Sequence, residues 1–564
     1  MSTPRPVAEN FIFCGGPIRT LRDEQPLVDA VGVSGGLIVA AGSRPEVEAC
    51  FPSSGPQSPR AIDLQGAALY PGFVDSHTHL GGFGLRLSLV DLDGVSTMER
   101  ACRLVADHAR TVERGRWIRG GGWDKNLWGD GRFPTRHDLD RVVPDRPVAL
   151  SSKDGHAWWV NTEALRLAGV TRDTPDPPGG EIERDARGEP TGIFKENAGS
   201  YVSAVVEQPT AKDYETCIAR AVAAAHRHGL VGAHDMEGRE SFKAYQSLDE
   251  AGTLAFRVWL YVPADLLGRL TALGLGAGFG SPFLKIAGVK AFLDGALGSQ
   301  TADMLAPYEG SGGQGIETMS AEGFSQLVEG ASSERLAVAV HAIGDRANRK
   351  ALDVFGAHEG ISRAAGLRHR IEHMQLLDPA DIPRVGRMGI VASMQPIHAP
   401  SDRDMAARYW GAARSSSAYA WRSVADSGAV LAFGSDTPVE TMDPLQGLFA
   451  AVTRRHPKEP TRGPWHPEQA VSPLEAVRAY TSGAAWAVSA ERERGTIEAG
   501  KVADFTVLSE DILSIGAYPV GAEGAGRETR WSALSDAAER TGELLLRSRV
   551  VATVVGGTIV HGCL

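Results

Sequence analysis

The segment PGFVDSHTHL sets His77 and His79 two residues apart behind an apolar, strand-like run. In a strand, residues i and i+2 face the same side, so two imidazoles there can take one cation from one direction. Asp75 shares their parity and is expected to orient an imidazole or to touch a metal indirectly. An H-x-H pair also arises by chance in loops, so its meaning depends on what the other strand-like runs carry. GVKAF carries Lys290, VAVHAIGD carries His341, RIEHMQ carries His373, and LAFGSD ends in Asp436. Singly, each reads as an ordinary polar or solvated residue. Jointly, His77, His79, His341, His373 and Asp436 in this order point to a metal centre. Zn2+ suits imidazole and carboxylate donors, and Fe, Mn or Ni also fit. Such a cation lowers the pKa of water towards about 7, and the resulting hydroxide can attack a carbonyl carbon. Asp436 is the expected general base for that water.

These residues need a scaffold that gathers them. The runs GLVGAHDM, FRVWLYVP, LKIAGVKAFLD, LAVAVHAIGD, RHRIEHMQ, GIVASMQP and VLAFGSD are short and rich in Val, Ile, Leu and Ala, as parallel strands buried on both faces should be. Helical stretches such as DYETCIARAVAAAHRHG lie between them, and that alternation argues for βα units. Eight such strands close a barrel, and their carboxyl ends converge on one rim where active sites are built. Strands split by glycine turns occur before residue 70 and return in GTIEAGKVADFTVLSED and VVATVVGGTIVHG. The two ends are expected to pair into one small sheet structure. Residues from about 110 to 200, rich in Trp, Gly, Pro and Asp, break the rhythm and read as an insertion near the barrel mouth. Within it the glycines at 120–122 read as a turn.

Composition bounds the remaining classes. The 564 residues are 43% hydrophobic and 23% charged, ordinary values for a globular protein. With 58 Lys+Arg against 69 Asp+Glu, a net charge of −11 gives no electrostatic case for nucleic acid or an anionic membrane. The 5 cysteines are scattered and form no C-x-x-C pair, which argues against a disulfide framework. No apolar run reaches membrane-spanning length and the start shows no secretory h-region, so a cytoplasmic location is expected. A homodimer stays open.

The motifs PGFVDSHTHL, GGGWDKNLWGDGRFPTRHDLDRVVPDRPVALSSKDGHAWWVN, TGIFKENA, GVKAFLDGALGSQTA, HAIGDRAN, RIEHMQ, GSDTPVETMDP and GTIEAGKVADFTVL together resemble the amidohydrolase superfamily. Within it they resemble the amidohydrolase-3 branch of YtcJ-like proteins and N-substituted formamide deformylase. The resemblance implies an α/β chain: a (β/α)8 TIM-type barrel over 71–485, with a small β-sandwich built from 1–70 and 486–564. It implies His77 and His79 from the first barrel strand, His341 from the fifth, His373 from the sixth and Asp436 from the eighth as site residues. Lys290 falls where related enzymes carry a lysine carboxylated by CO2 that bridges two metals. Glu196 is the rival for that anionic role and Asp294 a weaker one. His156, by resemblance, faces the pocket and binds substrate. His234, at the end of the third strand, is expected to support the ligands or to touch substrate, and Trp123 and Asp294 to touch substrate. Trp123, Trp128, Trp158 and Trp159 also read as core of the insertion.

The activity implied is hydrolysis of a C–N bond, amide or formamide type, in a small molecule, with one or two divalent ions, Zn2+ foremost. A cyclic amide hydrolase, deaminase or ester hydrolase of the same superfamily is the alternative. A catalytically silent binding or assembly relative is a further one, and fold alone does not choose.

Overall fold

The computed structural model describes residues 10–55, 57–128, 132–152, 157–178, 180–298, 300–310, 312–515 and 527–564. The chain divides into two compact units, one formed by Met1–Gly81 with Ile218–Leu564, the other by Gly82–Cys217.

The first unit is built on eight parallel strands. They are β1 (Phe73–Thr78), β2 (Leu230–Asp235), β3 (Arg257–Pro263), β4 (Leu284–Phe292), β5 (Ala337–Ala342), β6 (Arg370–His373), β7 (Val391–Met394) and β8 (Leu431–Phe433), hydrogen-bonded in that order. All six residues of β1 and of β2 are buried, as both faces of a barrel strand should be. The backbone closes the circle: Asp436 N–H donates to the His77 carbonyl at 2.8 Å and His79 N–H donates to the Thr437 carbonyl at 2.9 Å. This is the expected α/β barrel. Gly434 sits on the seam, where an added Cβ would lie 2.5 Å from the His77 nitrogen and 2.7 Å from the Asp75 carboxylate. No larger residue fits there. Asp75 orients no imidazole; it accepts the backbone N–H groups of His77 (3.1 Å) and Ser435 (2.9 Å) and so pins β1 to the segment after β8. Burial pushes its carboxyl up to about 7.

Both chain ends feed one mixed eight-stranded sheet. Ala68–Pro71, just before β1, pairs antiparallel with Phe505–Leu508, which joins the N-terminal strands to Val550–Val555 and Thr558–Gly562. Phe13, Ile18, Val31, Leu69, Phe505 and Val554 share its core. Asp504 ties this sheet to the barrel. It accepts Arg257 Nη2 at 2.9 Å and Arg494 Nη1 at 3.1 Å, all three side chains being buried. Burial opposes the Asp504 charge, but the two guanidinium groups outweigh it and hold the carboxyl below its ordinary value. Asp504→Ala leaves two buried cations uncompensated, a loss of about 3–5 kcal/mol read as a lower Tm at neutral pH. A depressed carboxylate stabilises above its unfolded pKa and loses that effect as pH falls through the folded one. The wild-type and variant melting curves therefore converge in acid, below the ordinary carboxylate value of 3.8; a constant gap at all pH values contradicts this account.

The second unit holds its own six-stranded sheet, ordered Gly180–Arg184, Pro190–Glu196, Ala157–Val160, Val148–Ser152, Ile118–Trp123, Val90–Asp91. It begins earlier and ends later than the irregular stretch read from composition, because amphipathic helix Met98–Ala109 packs on this sheet. The glycines at 120–122 are not a turn. They lie within the strand Ile118–Trp123, where a Cβ on Gly120 would stand 2.3 Å from the Val90 carbonyl and one on Gly121 2.1 Å from Ser151 Oγ. Glycine here permits close strand approach. Among the described residues no helix is long and apolar enough to cross a membrane.

Candidate metal centre

Parallel strands bring their carboxyl ends to one rim. β1 carries His77, with His79 just beyond its end; β4 carries Lys290 and β5 His341; β6 ends at His373; Asp436 follows β8 by three residues. His373 (φ 72°) and Asp436 (φ 59°) both occupy the left-handed region, which side chains other than glycine seldom adopt and which concentrates at functional sites.

The imidazoles meet. The His77 ring lies 5.5 Å from His79 and 4.8 Å from His373, and His341 lies 4.5 Å from His373. Asp436 Oδ1 is 3.5 Å from His77 Nε2 and 3.3 Å from His79 Nε2. Bonds of about 2.0–2.2 Å at tetrahedral angles put neighbouring donors about 3.3–3.6 Å apart; both imidazole–carboxylate distances have that spacing, and all three ligand atoms lie within 4.8 Å of one another. His77 Nε2 is buried with no hydrogen-bond partner, which leaves it available to an ion. In three of the rings a nitrogen is engaged: His77 Nδ1 by Glu372 at 2.5 Å, His373 Nδ1 by Gln395 Oε1 at 2.8 Å, and His341 Nε2 by the Gly295 carbonyl at 2.9 Å. Each partner is an oxygen acceptor, which fixes the tautomer and leaves a bare lone pair for a metal.

Charge follows the same pattern. Burial above all lowers His77 to about 4 and His341 to about 3, and holds His373 well below its ordinary value; neutral imidazole is the ligating form. Burial is the largest single influence on His79 and lowers it, but the hydrogen bond to Asp436 and the fields of Asp436 and Glu237 together raise it above its ordinary value. Asp436 stays ionised against burial, held well below the usual carboxylate range by His79 and the fields of His77 and His373. Lys290 is buried, and desolvation pulls its ammonium down to about 8 despite Glu372 and Asp436. The donor set fits a divalent cation.

Residues 60–561 match the model of the amidohydrolase family. This chain belongs to that family. Over 512 residues it is 35% identical to the protein named "Putative amidohydrolase YtcJ" of Bacillus subtilis, covering 89% of this chain and 95% of that one. It is 30% identical over 523 residues to N-substituted formamide deformylase of Arthrobacter pascens, covering 89% and 94%. An uncharacterized metal-dependent hydrolase from Pyrococcus furiosus superposes with a TM-score of 0.72 at 31% identity, over 89% of this chain and 99% of that one. The amidohydrolase described here is thus a metal-dependent hydrolase of that superfamily.

The remaining expected residues sort differently. His234 lies on β2, not on a third strand, since the intervening strands belong to the other unit. It is fully buried, and its Nδ1 faces Arg370 Nη1 at 2.7 Å, so it joins the polar interior of the barrel. Asp294 is engaged by the backbone N–H groups of Asp303 (2.9 Å), Ile343 (3.0 Å) and Gly344 (2.7 Å); it organises the loops after β4 and β5. Trp123 is core of the second unit. Its ring stacks on Trp128 at 6.2 Å, and its indole N–H donates to the Leu150 carbonyl at 3.0 Å. His156 and the Glu196 side chain lie outside the described residues.

Three residues escaped the sequence reading. Arg370 and Glu372 are both fully buried and form an ion pair on β6, and Glu372 carries the His77 contact. Two opposite charges at i and i+2 in a strand otherwise read as buried were the available signal. His398 opens the helix His398–Tyr409 after β7, too far past the strand to be found by looking at strand ends. Its Nε2 lies 4.0 Å from Asp436 Oδ2. Arg370 and His77 hold Glu372 well below its usual value against burial, so it accepts the His77 Nδ1–H as a full carboxylate. Glu372→Gln is expected to weaken metal affinity about 10–100-fold, measured by competition with a chelator; unchanged affinity removes Glu372 from the site.

Proposed function

We propose that this amidohydrolase cleaves the C–N bond of a small amide, most simply an N-substituted formamide, with Zn2+ as its cation. The carrying observation is the His77–His79–Asp436 trio on the barrel rim, its three ligand atoms within 4.8 Å of one another. Its relative from Arthrobacter pascens bears the name of a formamide deformylase, which supports the bond type. A bound cation supplies Lewis acidity and a lowered pKa for water. Asp436 takes a proton from the attacking water at its carboxylate and returns it to the departing nitrogen. Phe292, 48% exposed at the end of β4 and 5.2 Å from the His341 ring, offers an apolar surface to an N-substituent.

The burial of Lys290 and its lowered pKa support carboxylation. The neutral amine adds to CO2 and releases a proton, giving a carbamate with two anionic oxygens for a second ion. Protein prepared with 13C-bicarbonate should show a carbamate 13C resonance that is absent from Lys290→Gln; no such signal leaves Lys290 unmodified.

The decisive test is a screen of N-formyl, N-acyl and cyclic amides with zinc-reconstituted protein. Turnover of an acyclic formamide with an apolar N-substituent is expected to exceed the rest. Turnover confined to esters or rings sinks the reading.

A further inference from the structure

His398 differs from His77, His341 and His373 in one respect. The Nδ1 of His77 and of His373 and the Nε2 of His341 each face an oxygen acceptor. His398 Nδ1 instead faces the amide nitrogen of Gln375 at 3.5 Å. With Gln375 as the donor in that contact, Nδ1 accepts and the His398 hydrogen sits on Nε2. That Nε2 is buried and has no hydrogen-bond partner in the protein.

At 4.0 Å from Asp436 Oδ2, Nε2 makes no direct hydrogen bond to it. His373, His398 and Asp436 also bring ligand atoms within 4.8 Å of one another, but the 4.0 Å separation is wider than the about 3.3–3.6 Å of adjacent tetrahedral ligands, and the zinc content of His398 variants decides between ligand and donor. The gap suits one further atom. The two carboxylate oxygens of Asp436 diverge, Oδ1 towards His77 and His79 and Oδ2 towards His398. An oxygen held by His398 therefore lies beside the place where Asp436 handles the proton. The ring is also well fixed, nearly parallel to His373 (18°) at 6.3 Å.

We infer that His398 is a catalytic hydrogen-bond donor: its Nε2–H holds the carbonyl oxygen of the substrate and the oxyanion that follows attack. The inference rests on the hydrolytic reading above and adds to it the group that receives the developing negative charge. Charge stabilisation of this kind is strongest in a buried site where the donor is already oriented.

The test uses full-length zinc-loaded protein and two variants, His398→Ala and His398→Gln, with bound zinc measured by mass spectrometry and folding by circular dichroism. The probe is methylphosphonate, a tetrahedral anion, titrated by calorimetry. Expected are unchanged zinc in both variants, about 100-fold or greater loss of methylphosphonate affinity in His398→Ala, and partial recovery in His398→Gln, whose amide N–H replaces the donor. With an amide substrate, kcat is expected to drop about 10²–10³-fold in His398→Ala. Loss of zinc from His398→Gln makes His398 a ligand and overturns the inference, as does unaltered phosphonate affinity in the folded variants. If the wild type turns over no amide while the phosphonate pattern holds, the C–N reading falls and the donor role of His398 stands.

Discussion

Replacing His77 with alanine is expected to strip the centre of its cation and to remove hydrolysis. His77 Nε2 is one of three donors at ligand spacing, and it is the one held most tightly, through Glu372 and Arg370. Without a cation, water reverts from a pKa of about 7 to 15.7, some eight orders of magnitude in hydroxide at neutral pH. The loss in kcat/KM should exceed about 10⁴-fold. The fold should survive, because Glu372 keeps its buried pair with Arg370 and no lone charge is left behind. Metal analysis and circular dichroism check both halves. A folded His77→Ala protein with a full metal complement would mean that the trio is not the site.

The second large effect belongs to Asp436. Changing it to Asn leaves an amide oxygen near the position of Oδ1 and keeps His77, His79 and His373, so the cation should remain. The acceptor for the water's proton is gone. General-base catalysis contributes about 10²–10⁴-fold, and kcat should fall by that factor with metal content close to wild type. The backbone should tolerate the change: Asp436 has φ 59°, a region that Asn adopts readily. Wild-type kcat in a metal-replete Asp436→Asn protein would move the base elsewhere. Comparison with His77→Ala separates binding the cation from moving the proton, since the first variant loses both and the second only one.

What the amino-acid order determined is local. The barrel strands could be read because a parallel strand buried on both faces needs a mostly apolar stretch, and β2 and β5 open on such stretches, residues 230–233 and 337–340, before their polar ends. The His77 and His79 pair followed from the two-residue period of a strand, and the shared rim followed from parallel order. The pairing of the chain ends was visible in their matching glycine-split texture. Tertiary structure decided whatever depends on a partner distant in the chain. Glu372 acts on His77 across 295 positions, and Asp75 meets Ser435 across 360. Asp294, expected at the substrate, is engaged by backbone N–H groups up to 50 residues away. The glycine triplet, expected to turn, lies within a strand because neighbouring strands press against it, with Gly122 (φ 86°) at a shift of register, and Trp123 is core because Trp128, Phe133 and Trp159 surround it. Residue type and period report which way a side chain leaves its own backbone. They do not report what it meets there, and whether a buried histidine is a ligand, a donor or part of the packing is set by the atom opposite each ring nitrogen.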